Sequence, residues 1–492
     1  MMEAKFASSA QLVRDALSQL DSVCLTADAW TESHSTSSFL GVTVHFRLGT
    51  EMETVALGLK LLKSNHTAEY LGGQMEEVLL DWGITLDRVS MVVTNNAENM
   101  VATVKWLFGQ DKHLPCFDHT LNLIPKAVLG HRRQNNQNVV NVPGVPELMA
   151  KVKSVVTLSH TSYNFANEIK RIQIEEKGKT VGTALRLVID VPTRWGSTFV
   201  MSDRHIEMQD TLAVASLKFP ELAVLTAAEL ATLRFIRDLL KPFHEATTEM
   251  GAEKSTTASK VIPIVTMLRK ALEIVELPPN NDLALRIKNF VFSEFDRRFQ
   301  NIEGVMPLAI ATILDPRFML VYFKNIGAVA RARNLIEDTL KKDIREETRA
   351  AEAAASAAAA PESAAPQVCV TGTGARGLWG IHDEMVASAF VATASDDPAG
   401  KARTELRAYL GRPPAPRKSN PLEVWEGIKL EYRHLYKLAH RYLPVLATSV
   451  PSERSFSDAG RVMTDDGNRL TPEHLKQKVF LMKLSDSIWY RF

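Results

Sequence analysis

The order of strand-like and helix-like segments in the first 110 residues restricts the fold more than any other feature of this sequence. Three runs rich in apolar and β-branched residues follow one another across short polar connections, and a helix, a strand and a second helix come after them. This order predicts an α/β layer built on a mixed sheet. The predicted strands are Ser22–Thr26, Phe39–Phe46, Thr54–Leu62 and Arg88–Thr94, with Arg186–Asp190 as a candidate for a fifth, and the predicted helices are Thr67–Trp82 and Glu98–Phe108.

The rest of the chain changes character twice. From Thr198 to Ile344, long amphipathic stretches predict an almost entirely helical region. Between Ala350 and Ala365, 11 of 16 residues are alanine, and because such a segment has no apolar face to bury we interpret it as a loose linker. We therefore divide the chain into an α/β part (1–197), a helical domain (198–345), an Ala-rich flexible linker (346–402) and a compact C-terminal region (403–492).

Composition excludes several classes of protein. Of the 492 residues, 45% are hydrophobic and 23% are charged, which is typical of a globular protein and excludes collagen, coiled coil and wholesale disorder. The three cysteines are widely separated, so a disulfide scaffold is excluded and the close cysteine pair of a zinc finger is missing. No stretch is long and apolar enough to span a membrane, and we expect a soluble protein in a reducing, intracellular compartment.

Charge is unevenly distributed along the chain. Residues 1–150 carry 11 Lys and Arg against 16 Asp and Glu, whereas residues 403–492 carry 16 against 10. A nucleic-acid groove with acidic residues near a metal ion and basic residues around it would have this distribution. Ordinary solvated surface would have it too, and charge alone does not decide between them.

Five short motifs contain the residues with the clearest chemical potential. They are LTADAWTESHS with Asp28, VVTNNAENM with Asn95, CFDHTLNLI with Cys116 and His119, DVPTRWGST with Arg194 and Trp195, and SERSFSDAGRVMTDDGNRL with Glu453, Arg454 and Arg461. As a set, these motifs resemble the hAT superfamily of DNA transposases, and most closely the BED zinc finger proteins derived from them. The resemblance extends from about Val23 to Leu484 and leaves the Ala-rich linker unmatched.

The resemblance implies a definite architecture. Members of the superfamily have a ribonuclease H-like fold that is interrupted by a large all-α insertion domain and followed by a C-terminal hAT dimerisation region. For this chain, residues 198–345 would be the insertion, and residues 403–492 would both complete the core and dimerise. This agrees with the α/β, helical and compact segments read from the sequence.

The resemblance also implies a chemistry, namely DNA cleavage and strand transfer by two Mg²⁺ ions held by three acids. Two of these acids fall on Asp28 and Glu453, but the third falls on Asn95, where the family pattern has an aspartate. An amide offers one neutral oxygen and an NH₂ donor in place of a charged acceptor, so we expect this degenerate triad to be inactive. Glu98 either replaces the lost acid or, as the simpler alternative, stabilises the first turn of a helix.

The other motif residues have open alternatives. Cys116 and His119 are too few for a zinc site, and the resemblance makes them supports of the active-site region. Arg194 and Trp195 either contact DNA, by gripping a phosphate and stacking on a base, or close the core against the insertion. Arg454 and Arg461 are either phosphate contacts or salt-bridge partners.

We expect a transposase-derived, catalytically inactive nuclear protein that dimerises through its C-terminal region and associates with DNA or chromatin factors as a transcription regulator. It would need no cofactor and no membrane. The first alternative is a metal-dependent transposase that uses Mg²⁺, with Asp28 and Glu453 as metal ligands; the second is a fragment of a decaying element. The chain starts about twenty residues before the first predicted strand and contains no BED finger, so we expect site-specific DNA recognition to come from elsewhere or to be lost.

Overall fold

The computed structural model describes residues 2–31, 37–130, 133–134, 137–138, 141–191, 194–252, 254–358, 397–454 and 471–484. Its strands are β1 (Val23–Thr31), β2 (Ser38–Leu48), β3 (Glu51–Leu62), β4 (Val89–Thr94) and β5 (His113–Pro115), with a separate ribbon of β6 (Arg133–Gln134) and β7 (Gln137–Asn138). The first five strands form one sheet in the order β3-β2-β1-β4-β5. Neighbours among β1, β2 and β3 are antiparallel, whereas β4 is parallel to β1 and β5 is parallel to β4.

The four strands predicted from the first 110 residues are confirmed, although β1, β2 and β3 are longer than predicted. The predicted first strand ends at Thr26, but β1 continues to Thr31, so Asp28 lies inside the strand and pairs with Gly41 of β2. Residues 27–31 can extend the strand because β2 offers a partner for each of them.

The candidate strand at Arg186–Asp190 is wrong, since these residues have no regular structure. Their backbone carbonyls are occupied by side chains instead of a neighbouring strand. Arg204 Nη1 donates to the oxygen of Arg186 at 2.9 Å, and the His160 ring lies 3.1 Å from the oxygen of Leu187.

Helices surround the sheet and form most of the chain. Those of the first part are α1 (Met2–Ser18), α2 (Ala68–Asp81), α3 (Glu98–Phe108), α4 (Phe117–Val128), α5 (Val145–Thr161) and α6 (Tyr163–Glu175). The helical domain contains α7 (Trp195–Glu207), α8 (Gln209–Ser216), α9 (Ala227–Met250), α10 (Val261–Ile274), α11 (Asp282–Phe299), α12 (Met306–Leu314) and α13 (Ile326–Ala358). The C-terminal region contains α14 (Pro398–Leu410), α15 (Pro421–Ile428), α16 (Arg433–Tyr442), a helical turn at 450–454 and α17 (Pro472–Lys483).

The mostly helical character predicted from Thr198 to Ile344 is confirmed, and none of the helices in the described ranges is long and apolar enough to cross a bilayer. The start of the predicted linker (346–402) needs correction, because α13 runs on to Ala358. Alanine has the highest intrinsic helix propensity, so an alanine run can extend an existing helix without an apolar face to bury. Residues 359–396 lie outside the described residues, and α14 begins at Pro398.

Alternate residues of the central strands point into two different cores. Leu25 and Val92 belong to the core that α1, α2 and α3 cover, whereas Cys24 and Val93 belong to a larger core shared with the helical domain. The C-terminal region packs into this larger core. Trp425 is fully buried there, and its indole nitrogen donates to the oxygen of Leu314 at 2.8 Å. The helical domain and the helices α14, α15 and α16 therefore pack together on one face of the sheet, whereas Phe480 of α17 lies in the core that α1, α2 and α3 cover.

Residues 445–453, which we call the docking segment, run between the sheet and the helical domain. On the helical side, Ala258 N donates to the oxygen of Val445 at 3.2 Å, and Ala447 N donates to Thr257 Oγ1 at 2.9 Å. On the side of the sheet, Phe117 N at the start of α4 donates to the oxygen of Ala447 at 2.8 Å. The segment is thus held by backbone hydrogen bonds on both sides.

A buried polar network fixes the end of the docking segment to the sheet. Ser452 Oγ lies 2.7 Å from Thr26 Oγ1, which in turn lies 2.9 Å from Nε2 of His45. The other ring nitrogen of His45 lies 3.0 Å from Thr54 Oγ1. His45 is fully buried, and burial lowers the pKa of its ring to about 3, so the network is neutral at physiological pH.

Replacing Ser452 with alanine should lower the free energy of unfolding by about 1–3 kcal/mol, because Thr26 loses a buried hydrogen-bond partner. Urea unfolding followed by circular dichroism measures this. The matched control is Ser154→Ala, which removes an exposed hydroxyl bound to the oxygen of Lys151 and should cost less than about 0.5 kcal/mol. Equal effects of the two substitutions would contradict the role given to this network.

Candidate functional site

Asp28 and Asn95 meet because their strands are parallel neighbours. Asn95 follows the last residue of β4, and its amide Nδ2 donates to Asp28 Oδ1 at 2.5 Å. The backbone N–H of Ala29 donates to the same oxygen at 2.8 Å. Asp28 is only 6% exposed. One oxygen of a buried carboxyl group is therefore already occupied by two N–H donors.

Glu453 reaches the same place through the docking segment. It lies in the helical turn 450–454, is exposed, and accepts a hydrogen bond from Ser449 Oγ at 3.4 Å. Burial raises the pKa of Asp28 to about 7 with help from the negative charge of Glu453, against the opposing effect of the Ala29 N–H. The structure thus brings Asp28, Asn95 and Glu453 together from separate parts of the chain.

Cys116 and His119 form the start of α4 instead of a metal site. Cys116 is the N-cap residue, and its Sγ accepts the backbone N–H of His119 at 3.4 Å and that of Ser449 at 3.3 Å. Burial raises the pKa of the Cys116 thiol to about 11, whereas burial and the charge of Lys126 lower the pKa of the His119 ring. The thiol of Cys116 thus joins the start of α4 to the docking segment, and His119 takes part through its backbone N–H.

Asp118 is a residue that the sequence reasoning missed. It is 9% exposed, and its Oδ2 accepts a hydrogen bond from Asn122 Nδ2 at 2.9 Å. Burial raises the pKa of Asp118 to about 6, and the charge of Glu453 contributes to the shift. The available signal was an acid in the first turn of a helix beside Cys116 and His119, which by itself is an ordinary helix feature.

Trp195 does not offer its ring to a nucleic acid. It is 4% exposed, and its indole nitrogen donates to Asn122 Oδ1 at 2.7 Å, so the structure favours the alternative in which it closes the core. Arg194 lies at the exposed start of α7, and Arg454 is exposed next to Glu453. Arg461 lies outside the described residues.

The described residues do not fit a pair of Mg²⁺ ions. Within the described part of the chain, no three His, Cys, Asp or Glu side chains are grouped so that they could hold a metal ion. Asp28 Oδ1 receives N–H donors where a cation would need a free lone pair. Glu98 does not replace the missing acid: it is exposed in the first turn of α3, as the alternative of a helix-start acid predicts.

Known proteins resemble this chain in two ways. Residues 405–483 match the hAT family C-terminal dimerisation region. Over longer stretches the chain is similar to "Zinc finger BED domain-containing protein 4" of Homo sapiens (24% identity, 86% of this chain and 34% of the relative) and to "Putative transcriptional regulator tpeD" of Talaromyces stipitatus (24%, 95% and 54%). It is also similar to "Putative AC transposase" of Zea mays (22%, 91% and 55%).

These matches confirm the resemblance inferred from the motifs. The chain spans about a third to about half of the length of these relatives, so the activities of the whole relatives are not carried over to it.

Stability should depend on pH through Asp28. Its ordinary pKa of 3.8 is raised to about 7 in the folded state, so the stabilising contribution of its proton is complete below about pH 4 and is lost as the pH rises through 7. Asp28→Asn removes this loss, and the variant should gain on the order of 4 kcal/mol over the wild type between pH 4 and pH 8.

Urea unfolding of both proteins across this range measures the difference, and the shared contributions of other titrating groups cancel in it. Asp210→Asn, at a side chain that is 77% exposed, is the control and should show no such trend. A difference between Asp28→Asn and wild type that stays constant from pH 4 to pH 8 would show that Asp28 titrates normally.

Proposed function

Because the chain carries a hAT dimerisation region and is related to hAT transposases and BED zinc finger proteins, we propose that it is a hAT-derived, catalytically inactive protein. It self-associates through residues 405–483 and acts in the nucleus on DNA or chromatin factors. The similarity to "Putative transcriptional regulator tpeD" supports a regulatory role.

The observation that carries the proposal is the hydrogen bond from Asn95 Nδ2 to Asp28 Oδ1. A carboxylate in place of Asn95 would add a negative charge beside a buried acid, and this arrangement is favourable only when a cation neutralises both. The NH₂ group of Asn95, which carries a partial positive charge, instead faces the carboxyl group of Asp28. Oδ1 of Asp28 therefore receives two N–H donors from the protein itself, without a metal ion.

The sheet supports the ribonuclease H-like fold that the resemblance implies. Three antiparallel strands are followed by two that run parallel to β1, in the order β3-β2-β1-β4-β5, and the two site residues lie on the central neighbours β1 and β4. The helical domain enters the chain between this sheet and Glu453, as an insertion would.

One observation favours the alternative, a metal-dependent transposase. Asp118 is a third carboxyl group, close enough to Glu453 for the charge of Glu453 to raise its pKa. Its charge would replace part of the negative charge that is missing at Asn95. Asn122 occupies Oδ2 of Asp118, whereas Oδ1 is buried without a hydrogen-bond partner among the described residues, so this carboxyl group keeps one oxygen for a cation.

Support for self-association comes from the family match and not from the apolar residues of the C-terminal region. Most of these, including Trp425, Leu435, Leu443 and Leu446, are buried within one chain. Their abundance is thus explained by the core, which is the alternative to sharing them with a second copy. The self-associating surface must be formed by the exposed remainder of residues 405–483, where Leu430 is 94% exposed.

The purified chain should not nick supercoiled plasmid in the presence of Mg²⁺ or Mn²⁺, because Asn95 cannot supply the missing charge. Agarose electrophoresis of the plasmid measures this, with Glu453→Ala as the control. Cleavage that requires a divalent ion and disappears in Glu453→Ala would establish the enzymatic alternative.

The variant Asn95→Asp gives a second test of the site, with thermal stability as the measured quantity. This variant should be less stable than wild type in EDTA, because two buried acids then repel each other, and divalent ions should restore its melting temperature. Asn96→Asp is the matched control at the neighbouring amide, which bonds to Thr120 and not to Asp28. Identical responses of the two variants to Mn²⁺ would contradict the placement of Asn95 in the site.

The chain should run as a dimer or larger species at micromolar concentration in size exclusion with light scattering, and deletion of the residues after Gly411 should abolish this state. A monomeric full-length chain whose mass state is unchanged by the deletion would refute self-association through residues 405–483. Circular dichroism must accompany the deletion, because these residues also complete the core. Leu430→Lys, at an exposed side chain, tests the same surface without removing buried residues.

A further inference from the structure

A polar pocket of about 750 Å³ lies where separate parts of the chain meet, away from the carboxyl groups of the candidate site. Its walls come from the turn between β2 and β3, the loop at residues 254–256, the loop before α15 and the end of α17. The turn at Thr50 follows the last residue of β2, whereas Asp28 pairs near the beginning of that strand, at Gly41. The pocket and the Asp28 site are therefore at opposite ends of the sheet.

The pocket is positively charged. Lys254, Lys418 and Lys483 line it, and Glu51 is the one acid among its lining residues. Lys254 and Lys418 are exposed, and neither forms an ion pair within the described ranges of the chain. Three lysines against one glutamate give a local excess of positive charge, which attracts an anion most strongly at low salt.

Hydrogen bonds hold the wall of the pocket behind the lysines in place. Arg317 Nη2 donates to Asp315 Oδ2 at 2.6 Å and to Thr256 Oγ1 at 3.0 Å, and Asp315 is fully buried. On the other side, Asn420 Nδ2 donates to the oxygen of Thr50 at 2.9 Å, which joins the loop before α15 to the sheet. Arg317 is neutralised by Asp315, so it shapes the pocket and leaves the excess charge to the lysines.

The remaining lining groups suit a phosphate. Ser255, Thr256 and Ser419 line the pocket together with the lysines, and hydroxyl and ammonium donors together match the several oxygens of a phosphate. A single phosphate fills only a small part of the volume, which lies within the usual range of sites for larger ligands. Three separate lysines likewise call for more than one anionic group.

We propose that this pocket binds a ligand that carries two or more linked phosphate groups. Such a ligand is either a stretch of nucleic-acid backbone or a soluble polyphosphorylated molecule. The inference does not depend on the proposed function, since a non-catalytic and a catalytic chain would have the same pocket.

The test is isothermal titration calorimetry of the full chain with sodium tripolyphosphate at low and at physiological salt. The pocket variant is Lys254→Glu with Lys418→Glu, and the charge-matched control is Lys170→Glu with Lys241→Glu, at exposed lysines elsewhere. Tripolyphosphate should bind the wild type and the control alike, and at least about tenfold more weakly to the pocket variant. Its affinity should fall as salt is raised.

A parallel titration with a short DNA duplex distinguishes the two sources. Weaker binding of both ligands by the pocket variant supports nucleic-acid backbone as the occupant, and loss of tripolyphosphate alone supports a soluble polyphosphate. If tripolyphosphate does not bind, or binds the pocket and control variants equally, the pocket is not a phosphate site, whatever the DNA result. DNA binding that survives in the pocket variant leaves the proposed DNA association intact, so the two proposals fail separately.

Discussion

The docking segment, residues 445–453, holds together parts of the chain that are distant in sequence. It receives backbone hydrogen bonds from Phe117 beside the sheet and from Ala258 in the helical domain, and the thiol of Cys116 accepts its Ser449 N–H. These bonds are made where side chains and backbone are buried, so a missing partner would leave an unsatisfied polar group. This segment brings Glu453 to Asp28, because Ser452 beside Glu453 contacts Thr26, which lies two residues before Asp28 in β1.

The same segment explains why the C-terminal region cannot be treated as an independent dimerisation unit. Residues before it, such as Trp425 and Leu435, complete the core of the helical domain, and Ser452 within it completes the polar network of β1 and β2. A high density of apolar residues in a sequence indicates that their surface must be buried, but it does not indicate which partner buries it. Here much of that burial occurs within one chain, which leaves a smaller exposed surface for the self-association that we propose.

Local pattern was enough to predict four strands and two helices of the α/β part and the helical character of residues 198–344, because the spacing of apolar residues follows which face of each element is buried. It did not predict α1, β5, α4, α5 or α6. Local pattern failed where contacts between residues distant in the sequence determine the structure. The burial of Trp195 depends on Asn122, and the electrostatic role of Asp118 depends on Glu453, 335 positions later in the sequence numbering. The carbonyls of residues 186 and 187 are bound by side chains from other helices, which no periodicity reveals. The placement of Asp28, Asn95 and Glu453 together could be inferred only from the family resemblance.

The amide at position 95 has a consequence for folding that is independent of catalysis. In a site built for metal ions, several carboxylates are held close together, and without the ions their repulsion and burial oppose folding. Asp28 still carries this cost, since burial and Glu453 both raise its pKa. Asn95 removes one charge and donates a hydrogen bond to the acid that remains. In the catalytically inactive protein that we propose, an asparagine at this position therefore stabilises the fold, because no metal ion is needed to offset the charge of a second acid.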